Sequence, residues 1–233
     1  MPYFFYGFDP YYWMLLVPAM LIAAAAQWKV SSSFRRWSRV PVRRGMTGAQ
    51  AAQEVLRAHG VMDVRIERVR GHLTDHYDPR TNTIRLSDSV YDAATVAAVG
   101  VAAHEAGHAV QYAVGYGPIR LRSAIIPVCN VGSQLSLIFI LLGLFLYVEP
   151  LFAVGIVLFS LAVVAQIVTL PVEFNASRRA METLGSTGLL AGEELTGARK
   201  VLSAAAMTYV AALLVSLAQL ARFLLAFAGR RRD

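Results

Sequence analysis

Residues 132–179 read GSQLSLIFILLGLFLYVEPLFAVGIVLFSLAVVAQIVTLPVEFNASRR. Two apolar runs, 132–148 and 151–170, are parted only by Glu149 and Pro150. A helix needs roughly 20 mostly apolar residues to span the hydrocarbon of a bilayer, with about 17 as the lower limit. Both runs meet that length, and two residues between them leave room only for a tight turn. The stretch therefore predicts a helical hairpin that crosses a membrane and returns. The polar segment PVEFNASRRA that follows, residues 171–180, then lies on the side from which the chain set out.

Two more segments fit the same pattern. Residues 11–28 (YYWMLLVPAMLIAAAAQW) are flanked by Tyr11, Tyr12, Trp13 and Trp28, as an interfacial aromatic belt would be. Residues 207–228 form the fourth apolar run, although they carry Gln219 and Arg222. The composition agrees: 56% of the 233 residues are hydrophobic and only 16% charged, against about 25% charged in a soluble domain. The net charge of +7 does not point to nucleic acid, because the basic residues cluster beside the apolar runs. That pattern points to topology and contact with anionic lipid. The lone cysteine, Cys129, excludes an internal disulfide and a multi-cysteine zinc cluster, and its apolar setting predicts a small buried hydrophobe.

Charge sets the expected orientation. No Lys or Arg precedes the first run, which argues against a secretory signal, whereas Lys29, Arg35, Arg36, Arg39, Arg43 and Arg44 follow it at once. The positive-inside rule then places the N-terminus outside and residues 29–131 in the cytoplasm, and the hairpin returns the chain there. Arg178, Arg179, Arg199 and Lys200 agree. The division expected is a transmembrane helix over 1–28, a cytoplasmic region over 29–131, a transmembrane hairpin over 132–170, cytoplasmic helices over 171–206, and a final helix over 207–233. That last helix either crosses or lies on the membrane, since Arg230, Arg231 and Arg232 run against the rule if it crosses. A bacterial inner membrane is the expected location.

In the region after the first run, Thr47 and Gln50 form a capping-box pattern ahead of a short helix that Gly60 stops. VRIERV (64–69) half-alternates like a strand, residues 78–82 are turn chemistry, and 83–86 form a short strand. Ser87, Asp88 or Ser89 is the expected cap of a helix from about 90 to 113. The 83–86 strand would pack as an ordinary hairpin or offer a free edge to an extended peptide.

The helix at 90–113 contains His104-Glu105-Ala106-Gly107-His108, an instance of H-E-x-x-H. Residues four apart share a helix face, so both imidazoles can reach one metal ion with Glu105 beside them as a general base. Catalytic zinc takes three protein ligands and leaves the fourth position open. His59, His72, His76 and Glu173 can each supply the third. Glu173 is favoured, because a carboxylate at an apolar boundary is rare unless paired or bound, and because the hairpin brings it back to the histidines' side. His76, Tyr77 and Arg178 are candidates for an oxyanion or substrate contact.

HEAGHAVQ, a hydrophobic hairpin and then PVEFNASRRA, with GHLTDHYDP ahead of the metal helix, resemble the YugP-type family of neutral zinc metallopeptidases. More broadly the pattern is similar to gluzincin membrane peptidases such as the heat-shock and CAAX-processing groups, which share H-E-x-x-H with a downstream Glu. The resemblance implies one catalytic Zn2+, His104, His108 and Glu173 as ligands, Glu105 as base, and a peptide or protein substrate, with membrane proteins among the candidates. Those relatives commonly carry an Asp four residues after the ligand Glu. Here that position is Ser177, which leaves Asn175 or another group to steady a ligand histidine.

The expected fold is mainly α: a polytopic membrane helical bundle with a small α+β gluzincin-like zinc peptidase lobe. Two other functions compete. A site-2-type intramembrane protease needs a later Asp ligand, typically as Asp-Gly in an apolar segment, and the sequence contains no Asp-Gly. A non-catalytic scaffold with a structural zinc would have no use for Glu105.

Overall fold

The computed structural model describes residues 10–230. Arg231 and Arg232, on which part of the orientation argument rests, lie outside them. The described residues form six α-helices and one three-stranded sheet. A π-helical turn, Tyr12–Leu16, leads into α1 (Val17–Trp37). Then come α2 (Gly48–Ala58), β1 (Arg65–Val69), β2 (His76–Asp78), β3 (Thr83–Ser87) and α3 (Val96–Ala113). Three long helices follow: α4 (Gly117–Phe145), α5 (Glu149–Ser186) and α6 (Gly192–Arg230). Tyr12–Trp37, Gly117–Phe145, Glu149–Ser186 and Gly192–Gly229 are each long and apolar enough to cross a membrane.

The long helices outrun the apolar segments that mark them. At 1.5 Å per residue the 38 residues of α5 extend roughly 57 Å, well beyond the ~30 Å hydrocarbon layer. Pro171 does not start a new helix there but lies inside α5, as Pro127 lies inside α4. A proline costs one N–H, which long apolar helices tolerate when neighbours satisfy the freed carbonyl. The polar continuation of α5 is held by its own apolar stripe: Val172, Ala176, Ala180 and Leu184 recur every four residues and are fully buried.

The chain divides into two compact units. One gathers residues up to 26, 121–170 and those from 208 onward. Its aromatic cluster packs Phe152 against Phe227 (6.2 Å between ring centroids) and Phe159 against Phe223 (5.3 Å). Cys129 is buried here, as expected. Arg222, a cation in an apolar helix, is also buried, with its guanidinium 5.1 Å from the centre of the Tyr12 ring. A cation over an aromatic face recovers part of the desolvation cost.

The other unit is built from Gln27–Arg120 and Pro171–Met207. Its core takes Phe34 and Trp37 from α1, Val55 from α2, Ile84 and Leu86 from β3, Ala102 and Val110 from α3, Leu184 from α5 and Val201 from α6. The capping box at Thr47 and Gln50 forms as the sequence predicts: Thr47 N–H donates to Gln50 Oε1 (2.9 Å) and Gln50 N–H to Thr47 Oγ1 (3.3 Å). The sheet order is β1-β3-β2, with β1 parallel and β2 antiparallel to β3. The strand at 83–87 is therefore central and paired on both sides, so the free edges belong to β1 and β2. The helix of the H-E-x-x-H motif also starts later than its turn residues suggest. Thr95, not Ser87, Asp88 or Ser89, accepts from Ala98 N–H at its start. Residues 91–96 spend their backbone groups on other segments (Val42 N–H to Ala94 O, Val96 N–H to Val40 O, Ala49 N–H to Tyr91 O), and Ser87 is held in β3 by the Asp75 carboxylate.

Candidate metal centre

α3 is rich in alanine and valine and is buried along most of its length. It therefore presents His104, Glu105 and His108 from a fixed scaffold. The two imidazoles stand one turn apart, 4.7 Å between ring centroids and nearly perpendicular. α5 brings Glu173 to them: its Oε2 lies 3.3 Å from His104 Nε2 and 3.6 Å from His108 Nε2. Gly107 permits this approach, since a Cβ there would stand 2.6 Å from the backbone oxygen of Ala176 on α5.

The cluster fits a zinc ion. Donors held tetrahedrally at about 2.0–2.2 Å stand roughly 3.3–3.6 Å apart, the spacing of Glu173 Oε2 from each histidine nitrogen, and all three ligand atoms lie within 4.8 Å of one another. Glu173 is almost wholly buried, and a buried carboxylate needs a cation close by. Burial pulls the His108 pKa down, but Glu173, with the charge of Glu105, more than offsets this and holds it above its ordinary value. Among the described residues the cluster holds three donors, His104, His108 and Glu173, without a fourth. Glu105 is buried beside them, and no hydrogen bond ties up its carboxylate among the described residues.

The backs of both imidazoles are occupied. Ser177 Oγ lies 3.1 Å from His104 Nδ1, and Gln111 Oε1 lies 3.1 Å from His108 Nδ1. A group that binds the far nitrogen fixes the ring and its tautomer for a metal on Nε2. Ser177 thus stands behind His104, while Asn175 contacts Gln111 rather than either histidine. Gln111 escaped sequence reasoning, although its i+3 spacing from His108 put it on the same face of α3.

The remaining candidates go elsewhere. His59 Nε2 pairs with Thr183 Oγ1 (3.0 Å), and His72 packs edge-on to Phe34. His76 is exposed, with Nδ1 donating to Thr74 O (2.8 Å). Tyr77 donates to Asn82 Oδ1 (2.7 Å) and leans on Tyr112, one turn beyond His108 on α3. Burial raises its phenol to about 12, so it stays protonated. Arg178 is exposed and pairs with Glu182 (3.4 Å).

A helix-borne H-E-x-x-H pair is thus met by a glutamate from a later helix. Residues 12–228 match the model of the family described as "Putative neutral zinc metallopeptidase", and the chain belongs to that family. It is also similar to a protein of Bacillus subtilis (strain 168) named "Putative membrane protease YugP", 46% identical over 219 residues, which are 94% of this chain and 97% of the relative. No solved structure matches the chain.

Proposed function

We propose that the chain is a membrane-embedded, zinc-dependent endopeptidase whose ion is held by His104 Nε2, His108 Nε2 and the Glu173 carboxylate. The observation that carries this reading is the three-donor cluster with Glu105 buried beside it, its carboxylate without a hydrogen bond among the described residues. A structural zinc site fills four positions with protein ligands, whereas a catalytic one leaves a position open. Zinc held there supplies a Lewis acid that acidifies water and polarises a carbonyl. Glu105 takes the proton from the attacking water and delivers it to the leaving amine. Ser177 and Gln111 keep the two imidazoles turned toward the cluster. Tyr77, protonated and packed against α3, is the best placed of the three candidates to contact the substrate.

The substrates are peptide bonds in proteins of, or next to, the membrane. The site works on the cytoplasmic face of a bacterial cell membrane, with the N-terminus outside. Lys29, Arg35, Arg36, Arg39, Arg43, Arg44, Arg178, Arg179, Arg199 and Lys200 all belong to the unit that holds the metal cluster, which supports that orientation. Proteolysis of a casein-type substrate by purified wild type and Glu105→Gln tests the reading. The expected result is zinc-dependent cleavage by wild type and loss of at least about 100-fold in Glu105→Gln with its zinc retained. Equal activity in the two proteins rejects Glu105 as the base.

A further inference from the structure

The hydrogen bonds behind His108 form a chain with only one consistent assignment of donors. Gln111 is fully buried on α3. Its Nε2 donates to the backbone oxygen of Val172 (2.8 Å) and to Asn175 Oδ1 (3.0 Å). Arg179 Nε donates to the same Asn175 Oδ1 (2.8 Å). A guanidinium only donates and a backbone carbonyl only accepts. Turning the Asn175 amide over would set N–H against N–H at Arg179. Turning Gln111 over would set its oxygen against the Val172 oxygen. Both amides are thus fixed, and the only Gln111 group left to face His108 Nδ1 is an acceptor. His108 Nδ1 must carry a hydrogen whether the ring is charged or neutral, and in the neutral ring the lone pair is on Nε2, which faces Glu173 Oε2 (3.6 Å) and the metal position.

We propose that Arg179, Asn175 and Gln111 are positioning residues that lock His108 in the tautomer that binds zinc, before the ion arrives. The relay rests on the metal-site reading for its purpose but not for its existence, since it is complete without an ion. It also links the two helices that supply the ligands: Gln111 stands on α3, and Val172, Asn175 and Arg179 stand on α5 around Glu173. Its uncharged middle is notable. Position 175 has only to accept two hydrogen bonds, so a carboxylate serves there and an apolar side chain of the same size does not.

The test compares wild type, Asn175→Asp, Asn175→Leu and Gln111→Met as purified full-length chains. Two quantities are read: zinc affinity by chelator competition, and the 15N imidazole shifts of His108 in the zinc-free protein at alkaline pH, where the ring is neutral. The expected result is an Nδ1-protonated His108 in wild type and Asn175→Asp, with closely similar zinc affinities. Asn175→Leu should give a mixture of tautomers and affinity lower by about 10–100-fold, and Gln111→Met should do the same. Should Gln111→Met fail to fold, the two variants at 175 still decide. Asn175→Leu with wild-type tautomer and affinity overturns the relay. Asn175→Asp weakened as much as Asn175→Leu also overturns it, because the role is then packing alone. A wild type that shows the Nδ1-protonated tautomer yet binds no zinc upholds the relay and rejects the metal-site reading.

Discussion

Ser177 shows how much one small side chain carries at this site. Its hydroxyl oxygen sits 3.1 Å from His104 Nδ1, on the side of the ring away from Glu173. Removing it leaves His104 free to rotate without creating a large cavity. Ser177→Ala is therefore predicted to weaken zinc binding by about 10-fold, at the low end for such partners, while the melting temperature barely changes. Chelator competition beside a thermal melt checks this. The HEAGH histidines were legible from the sequence because their geometry is local: a helix fixes what four residues of spacing will do. Glu173 was legible as a neighbour of the histidines because an apolar hairpin returns the chain toward them. Ser177 and Gln111 were not legible as partners. Each touches a histidine whose far nitrogen can meet any donor or acceptor the fold brings up, and the contact between Ser177 and His104 reaches across 73 positions of sequence.

At the scale of elements, the centre depends on how closely α3 and α5 approach. A methyl at Gly107 would press within 2.6 Å of the Ala176 backbone oxygen, which cannot move without moving α5 and Glu173 with it. A methyl at Gly100 would meet the Ala198 side chain at 3.4 Å, an ordinary contact. Gly107→Ala is predicted to cost about 1–3 kcal/mol by overpacking and to weaken zinc binding, with Gly100→Ala far milder. Thermal melts and zinc titration of the two variants together check the contrast. The turn between β2 and β3 carries its own pH dependence. Hydrogen bonds from Thr81 and Arg85, and from the Arg80 backbone, hold the Asp78 carboxyl down from 3.8 to about 2. A pKa depressed by folding stabilises the fold above the ordinary value, and that contribution fades as pH falls from about 4 to about 2. Asp78→Asn should be the less stable protein at neutral pH, and the difference should vanish toward pH 2 in denaturant melts followed by circular dichroism. The late start of α3 was hidden for a related reason. Ser87 and Ser89 look like caps, but the backbone of 91–96 had already been claimed by pairing with residues 40–49.

The whole molecule uses long helices in two ways. α4, α5 and α6 each have an apolar length that marks a span, and α5 and α6 each have a polar length that serves the unit holding the metal cluster. Composition made the spans legible, because apolar length is what a bilayer selects. It also suggested breaks at 171 and 207 that the helices do not have, since a change of polarity along a helix is not a change of secondary structure. Arg222 could not be placed from sequence alone, because its partner, Tyr12, lies at the other end of the chain. In the proposed zinc site, Glu173, from a helix far along the chain, completes the pair of ligands begun by His104 and His108. Zinc content per chain, measured on wild type, Glu105→Gln and Glu173→Ala purified in parallel, tests it most directly. One tightly held zinc is expected in wild type and in Glu105→Gln, with its loss from a still-folded Glu173→Ala. A Glu173→Ala protein that keeps its full zinc would contradict it.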